Sequence, residues 1–240
     1  MARASDGNFD GTTSQGGTYG YGTIFRITPN GAFTSLHSFQ GTDGANPYAP
    51  LVQGADGNLY GTTYTTGPNF PGFAGTVFRI TLDGELTTLH RFIATEGAGP
   101  FGLMRANDGA FYGTIGLGSA YGYGSIYKVS MDGTLTIVKA FQPGDGYAPE
   151  GVLLQTADGN IYGTTEQGGN YGAGTIFRLN VSGELTTLHS FSGSDGNRPT
   201  GVLVLGGDGL LYGTTEDGGS NNFGTVFSLP VEVFPDRARR

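Results

Sequence analysis

The stretch Asp56-Gly57-Asn58-Leu59-Tyr60-Gly61-Thr62 decides how this chain is read, because it returns. The pattern Asp-Gly-x-x-Tyr-Gly-Thr starts again at Asp108, Asp158 and Asp208, and a variant starts at Asp6 with Asp10 in place of the tyrosine. Successive starts lie 50, 52, 50 and 50 residues apart. Three other phrases keep the same period. Gly-(Thr/Ser)-(Val/Ile)-(Phe/Tyr) starts at Gly22, Gly75, Gly124, Gly174 and Gly224, and Leu-Thr-x-(Leu/Val)-(His/Lys)-x-Phe starts at Leu86, Leu135 and Leu185, with a looser version from Phe33. An apolar run follows a proline at Ala49–Gln53, Gly102–Arg105, Gly151–Gln155 and Gly201–Leu205.

Each period therefore holds four short runs rich in Val, Ile, Leu, Thr, Tyr and Phe, bounded by glycine or proline, which is a strand signal without helical periodicity. Asn30-Gly31, Asp83-Gly84, Asp132-Gly133 and Ser182-Gly183 supply the positive φ expected of two-residue hairpin turns. Pairs such as Leu59-Tyr60 and Val77-Phe78 put bulk on both faces of a strand, which suits sheets flanked by neighbours on both sides. A four-stranded antiparallel meander at this period predicts an all-β fold, a β-propeller of about five blades. A solenoid is the runner-up, with coils usually of only about 20 to 30 residues. The blades are expected near 1–46, 47–99, 100–148, 149–198 and 199–235 of a single domain, with a basic tail over 236–240. Blade one shows no clear innermost strand and blade five no clear outermost one. Val231–Phe234 is the favoured means of closing the ring within one chain; the alternative is two chains combining into a larger ring.

Composition removes other classes. Glycine supplies 46 of 240 residues, charged residues only 13%, and the net charge is −8, with 20 acidic against 12 basic side chains. No run of about 18 apolar residues spans a bilayer, and glycine lacks collagen's period of three. Nucleic acid and anionic membrane surfaces are not expected partners. The one basic cluster is Arg237, Arg239 and Arg240, and Met1-Ala2-Arg3-Ala4-Ser5 is no signal peptide. Without cysteine there is no disulfide and no thiolate zinc site. No cofactor and no metal is expected. The Asp-Gly loops read as turns rather than calcium loops, and His37, His90 and His189 fall in different blades, with Lys139 in the matching place of a fourth. The column Arg26, Arg79, Lys128 and Arg178 is expected to form cross-strand polar pairs.

Leu59-Tyr60-Gly61-Thr62-Thr63, Gly75-Thr76-Val77-Phe78-Arg79-Ile80 and Leu86-Thr87-Thr88-Leu89-His90 resemble the GloVer repeat (Gloeobacter–Verrucomicrobia type), and the resemblance runs from Asp6 to about Leu229. It implies a bacterial, usually exported and often surface-anchored repeat protein with no assigned activity, and it supplies no catalytic residues. Without the export signal and anchor common in such proteins, the chain looks like a fragment or an unusually short member. Gly16-Gly17, Gly168-Gly169 and Gly218-Gly219 are similar to kelch blades, but the kelch tryptophan is absent.

Function is expected on the face that carries the two long connections of each blade, since loops on a rigid scaffold carry most sites. Those connections hold Tyr19, Tyr21, Phe70, Phe73, Tyr121, Tyr123, Tyr171 and Phe223 beside Glu166, Glu216, Asp217, Asp43, Glu96, Asp145 and Asp195. Aromatic faces next to carboxylates suit sugars. The reading is a non-catalytic binding or scaffold module of carbohydrate preference, monomer or homodimer, with Tyr19, Tyr121, Tyr171, Phe223, Glu166, Glu216 and Asp195 as ligand candidates. A purely structural repeat is the second reading. The third is a glycoside hydrolase using Glu150, Glu166 and Glu216. Asp10 and Glu150 break the repeat consensus, which is where a unique site would show.

Overall fold

The structure, a computed structural model, describes residues 1–67 and 73–231. Phe70, residues 232–234 of the favoured ring closure and the basic tail lie outside the described residues, as does the side chain of Phe73. Five antiparallel sheets follow one another along the chain. Blade one contains β1 (Ala2–Arg3), β2 (Phe9–Thr13), β3 (Thr23–Ile27) and β4 (Phe33–Ser38). Blade two contains β5 (Val52–Gln53), β6 (Leu59–Thr63), β7 (Phe73–Ile80) and β8 (Leu86–Ile93). A short β9 (Ala98–Pro100) leads into blade three and pairs with its second strand; that blade contains β10 (Met104–Arg105), β11 (Phe111–Leu117), β12 (Ser125–Val129) and β13 (Leu135–Ala140). Blade four contains β14 (Leu154–Gln155), β15 (Ile161–Thr165), β16 (Thr175–Leu179) and β17 (Leu185–Ser190), and blade five β18 (Val204–Leu205), β19 (Leu210–Thr215) and β20 (Thr225–Pro230). No helix is long and apolar enough to cross a membrane among the described residues. The chain is a five-bladed β-propeller.

Two expectations change. Blade one does have an innermost strand: β1 pairs with β2, Ala2 opposite Asp10. The outer hairpins are longer than two-residue loops. In blade one, Gly31 N–H donates to Thr28 O and Thr28 N–H to Ala32 O, and of Asn30-Gly31 only the glycine has positive φ. This is a type I turn followed by a left-handed glycine, the form three-residue hairpin loops take.

The repeated phrases now have physical reasons. The motif aspartate holds both the turn and the tyrosine. Asp56 accepts from Asn58 N–H, and Tyr60 Oη donates to its Oδ2 at 2.9 Å; Tyr112–Asp108 and Tyr212–Asp208 repeat the bond at 3.0 and 2.6 Å. In blade one the fully buried Asp10 takes the tyrosine's place and receives Arg26, Nε to Oδ1 at 2.8 Å and Nη2 to Oδ2 at 3.3 Å. Its departure from consensus is thus a packed ion pair. The threonine after the motif bonds the threonine that opens the third strand: Thr13–Thr23, Thr63–Thr76 and Thr165–Thr175 at 2.8 Å, Thr215–Thr225 at 2.9 Å. The motif's second glycine admits an aromatic ring, since a Cβ on Gly61 would stand 2.6 Å from Phe78 Cζ.

Burial happens between blades. Four apolar clusters join blades one to two, two to three, three to four and four to five. Each contains the outer-strand phenylalanine of one blade set edge-on to the third-strand aromatic of the next: Phe39–Phe78, Phe92–Tyr127, Phe141–Phe177 and Phe191–Phe227, with centroids 5.3, 5.1, 5.2 and 5.1 Å apart. No cluster of described residues joins blade five to blade one. Val226 is 79% exposed where its counterpart Ile176 is 1% exposed, and on blade one Phe9 and Phe33 are exposed. The favoured closure within one chain is therefore not formed by the described residues.

Gly61→Ala is expected to cost about 1–3 kcal/mol by overpacking, read from urea unfolding. Gly207→Ala, where a new Cβ meets nothing within 4 Å, should change little. The carboxyls of Asp43, Asp56, Asp108 and Asp158 are pushed up by burial but held below the usual range by the hydrogen bonds they accept, which outweigh it. Their contribution is present above the unfolded value of about 4 and lost as pH falls through the lowered folded values. Thermal melts between pH 5 and pH 2 should show a steep fall in stability, and a flat profile would contradict the clamp role.

Candidate functional site

Each blade from the second onward is entered through a residue-proline-residue step: Asn46-Pro47-Tyr48, Gly99-Pro100-Phe101, Ala148-Pro149-Glu150 and Arg198-Pro199-Thr200. The residue before the proline is left-handed in all four, with φ of 56°, 69°, 54° and 58°. The proline ring lies over the glycine that opens the third strand of the preceding blade. A Cβ on Gly75 would stand 2.6 Å from Pro100, and one on Gly174 2.5 Å from Pro199; glycine is required there both by this approach and by its positive φ. In three blades the carbonyl before the proline accepts the N–H of the residue that follows the second strand: Tyr64 to Asn46 (3.1 Å), Glu166 to Ala148 (2.9 Å) and Glu216 to Arg198 (3.0 Å). These bonds set Tyr64 beside Tyr48, Glu166 beside Glu150 and Glu216 beside Thr200. The segments just beyond meet about the axis, as a Cβ on Gly102 would touch both Ala49 and Val152, at 3.0 and 2.7 Å. The result is a mouth on the long-loop face.

One side of the mouth is aromatic. Tyr64 packs edge-on to Tyr48 and to Phe101, each at 5.7 Å. The other side is charged. Arg198 donates from Nε to Glu166 Oε1 at 2.8 Å and pairs through Nη2 with Glu216 Oε2 at 3.1 Å and through Nη1 with Asp217 Oδ2 at 3.6 Å. Thr200 Oγ1 donates to Glu216 Oε1 at 3.0 Å. Glu150 is half-buried, its carboxylate against Gly116, and no hydrogen bond or ion pair reaches it among the described residues. Burial and then the Glu166 charge push it up to about 7, against the opposing pull of Arg198. Tyr64 is raised by burial and then by the Glu150 charge, which ties the two sides of the mouth together. Near neutral pH the mouth presents ring faces, an Arg198-paired carboxylate and a carboxyl poised between its two forms.

Of the residues expected from sequence, Glu150, Glu166 and Glu216 come together here. Tyr171 and Asp195 meet elsewhere, in a groove of about 510 Å³ at the rim of blade four that His189 and Asn170 also line. Asp195 folds its own loop there, accepting from Ser192 N–H at 2.8 Å and contacting His189 Nε2 at 2.9 Å. The other outer-strand histidines and lysine repeat that clamp, as His37–Asp43 (2.7 Å), His90–Glu96 (3.1 Å) and Lys139–Asp145 (3.6 Å). Tyr19 and Tyr121 stand exposed at loop tips away from the mouth. Phe223 holds the position of Tyr21 and Tyr123, which lean on the following blade, and it is 91% exposed among the described residues. Sequence reasoning missed Tyr48, Tyr64, Phe101 and Arg198. The signal was present: Tyr48, Phe101 and Arg198 flank an unchanging proline at positions that differ from repeat to repeat, and the position of Tyr64 after the second strand differs too.

The sequence matches the Gloeobacter/Verrucomicrobia repeat family over residues 1–156 and again over 72–234. No curated protein matches the chain. Among solved structures, a periplasmic gluconolactonase of Pseudomonas aeruginosa is similar at 16% identity and a TM-score of 0.55, over 95% of this chain and 69% of that one. A gluconolactonase of Xanthomonas campestris is similar at 19% identity and 0.55, over 85% and 65%. A protein of unknown function from Dyadobacter fermentans is similar at 12% identity and 0.59, over 96% and 77%. At these identities the likeness is one of fold.

The unfolded chain ionises Glu150 near its ordinary 4.5, the folded chain near 7. Folding thus favours the protonated form, and the parent loses stability relative to Glu150→Gln as pH rises from 4.5 through 7. The variant should melt higher than the parent at pH 8 and level with it near pH 4.5, whereas a gap independent of pH would refute the assignment.

Proposed function

The chain belongs to the Gloeobacter/Verrucomicrobia repeat family, and from that footing we propose that it is a binding module of the cell exterior that holds carbohydrate in the mouth of its long-loop face. The observation that carries the reading is the pairing of two unlike halves across one opening: the rings of Tyr48, Tyr64 and Phe101, and the Arg198-centred carboxylates with Glu150. A sugar ring presents C–H faces that stack on aromatic rings and hydroxyls that need fixed acceptors and donors. The mouth provides both without a bulk apolar surface. The groove at Tyr171 and Asp195 is a lesser subsite of the same kind, repeated in outline by the His or Lys clamps of the other blades.

A second reading has one observation in its favour. Glu150, raised to about 7, stands near Glu166, which pairs with Arg198. A protonated carboxyl beside an ionised one is the arrangement that glycoside hydrolysis uses, with Glu150 as the acid and Glu166 as base or nucleophile. The two readings share a site and separate in assay.

Calorimetry against neutral oligosaccharides and sugar lactones should show binding that weakens about tenfold or more in Tyr48→Ala and in Glu166→Gln, a loss near 1.4 kcal/mol each, while Tyr121→Ala stays at parent affinity. No heat at millimolar ligand removes the carbohydrate reading and leaves the structural one. Turnover of an aryl glycoside, lost in Glu150→Gln with binding kept, would establish the hydrolase; binding without turnover would end it.

A further inference from the structure

Every nitrogen of the Arg198 guanidinium is engaged within the mouth: Nε with Glu166, Nη2 with Glu216 and Nη1 with Asp217. Glu150 adds a fourth carboxyl to this one cation, and among the described residues no hydrogen bond or ion pair holds it. The charge left over is negative, and the group that carries it without a partner is Glu150. The aromatic side suits a ligand of the opposite sign. Tyr64 meets Tyr48 and Phe101 at interplanar angles of 80° and 79°, so the ring faces form a corner. Faces set in this way wall the cages that hold ammonium groups, because the ring quadrupole draws a cation. The charges of Glu150 and Glu166 both act on the Tyr64 phenol, in keeping with one shared opening.

A third feature belongs to neither half. Thr164 is only 3% exposed, yet its hydroxyl has no hydrogen-bond partner among the described residues. Its counterparts Thr12 and Thr114 donate across their seams, to Ala49 O at 3.1 Å and to Gly151 O at 3.4 Å. The Thr164 hydroxyl lies where the chain turns inward from the mouth: a Cβ on Gly151, the residue after Glu150, would stand 3.1 Å from its Oγ1 and 3.3 Å from Gly201 O. A buried hydroxyl left unpaired is costly, and this one stands next to the unpaired carboxyl.

We infer that the mouth selects an amino sugar, with a free ammonium group against Glu150, the ring against the Tyr64 corner and a hydroxyl on Thr164. The inference rests on the carbohydrate reading and narrows it. A uronate or a sugar phosphate is rejected, because the one cation of the mouth is saturated and the added charge would face unpaired carboxylate. A neutral sugar keeps the stacking and the hydroxyl contact but leaves Glu150 without a partner.

The test is calorimetry on the full chain with two disaccharides of the same linkage, one of glucosamine and one of glucose, which differ only by ammonium in place of hydroxyl. Just below neutral pH and at low salt the amino sugar should bind about tenfold or more tightly than its neutral counterpart. The ratio should shrink in about 1 M salt, where the Debye length falls to about 3 Å. In Glu150→Gln the ratio should fall close to one, and Thr164→Val should weaken both sugars. Equal or weaker binding of the amino sugar, with the glucose disaccharide still bound, overturns the inference and leaves the carbohydrate reading standing. A preference that survives in Glu150→Gln overturns it as well, since it then comes from the net charge of the chain, and undiminished binding by Thr164→Val overturns the placement. No heat from either sugar at millimolar concentration removes the carbohydrate reading and the inference together.

Discussion

Each outer-strand phenylalanine lies edge-on against an aromatic ring of the next blade, and this contact is what the rest of the molecule is arranged around. A single four-stranded sheet of short strands cannot bury both faces, and its stability comes from stacking. The pairs Phe39–Phe78, Phe92–Tyr127, Phe141–Phe177 and Phe191–Phe227 sit in the middle of the four seams. Such pairs are worth about 0.5–1.5 kcal/mol beyond the area they bury. The rings reach that position because Gly61 and its equivalents leave room for them on the second strand. The Asp-Gly turns and threonine pairs then hold the strands in register.

Because these demands are met at the seams and turns, they leave the mouth free. The proline before each innermost strand fixes the path of the chain, and the carbonyl ahead of it fixes the residue after the second strand. Neither cares which side chains those positions bear. Tyr48, Phe101, Glu150 and Thr200 occupy equivalent places, as do Tyr64, Gly116, Glu166 and Glu216. A nearly symmetrical scaffold thus carries an asymmetrical opening, aromatic on one side and ionic on the other.

The fold was legible because its constraints recur: five copies of one turn-and-strand phrase leave little freedom in topology or blade number. The short β1 was missed because Ala2-Arg3 has no strand composition, and only pairing with β2 makes it a strand. The hairpins were misjudged because a dipeptide does not reveal whether one or both of its residues will be left-handed. At the site, Glu150 was legible as a break in the repeat consensus, and Glu166 and Glu216 as carboxylates of the long loops. Arg198 was not, since its role depends on loops 32 and 18 residues away in sequence being brought to it. Tyr19 and Tyr121 attracted notice as aromatics in long loops, but loop length does not say whether a side chain points to the axis or the rim. Asp195 shows the opposite case, a carboxylate with an apparent ligand's chemistry that is engaged in folding its own loop.

Among the described residues the apolar clusters link only consecutive blades, so the packing they provide is that of a linear array. In such an array cooperativity decays with distance, and a unit with one neighbour opens more readily than a unit with two. Blade three, clasped on both sides, is the thermodynamic keystone, while blades one and five are its fraying ends. The order of loss on heating is therefore written into connectivity rather than composition, although all five units share nearly the same sequence.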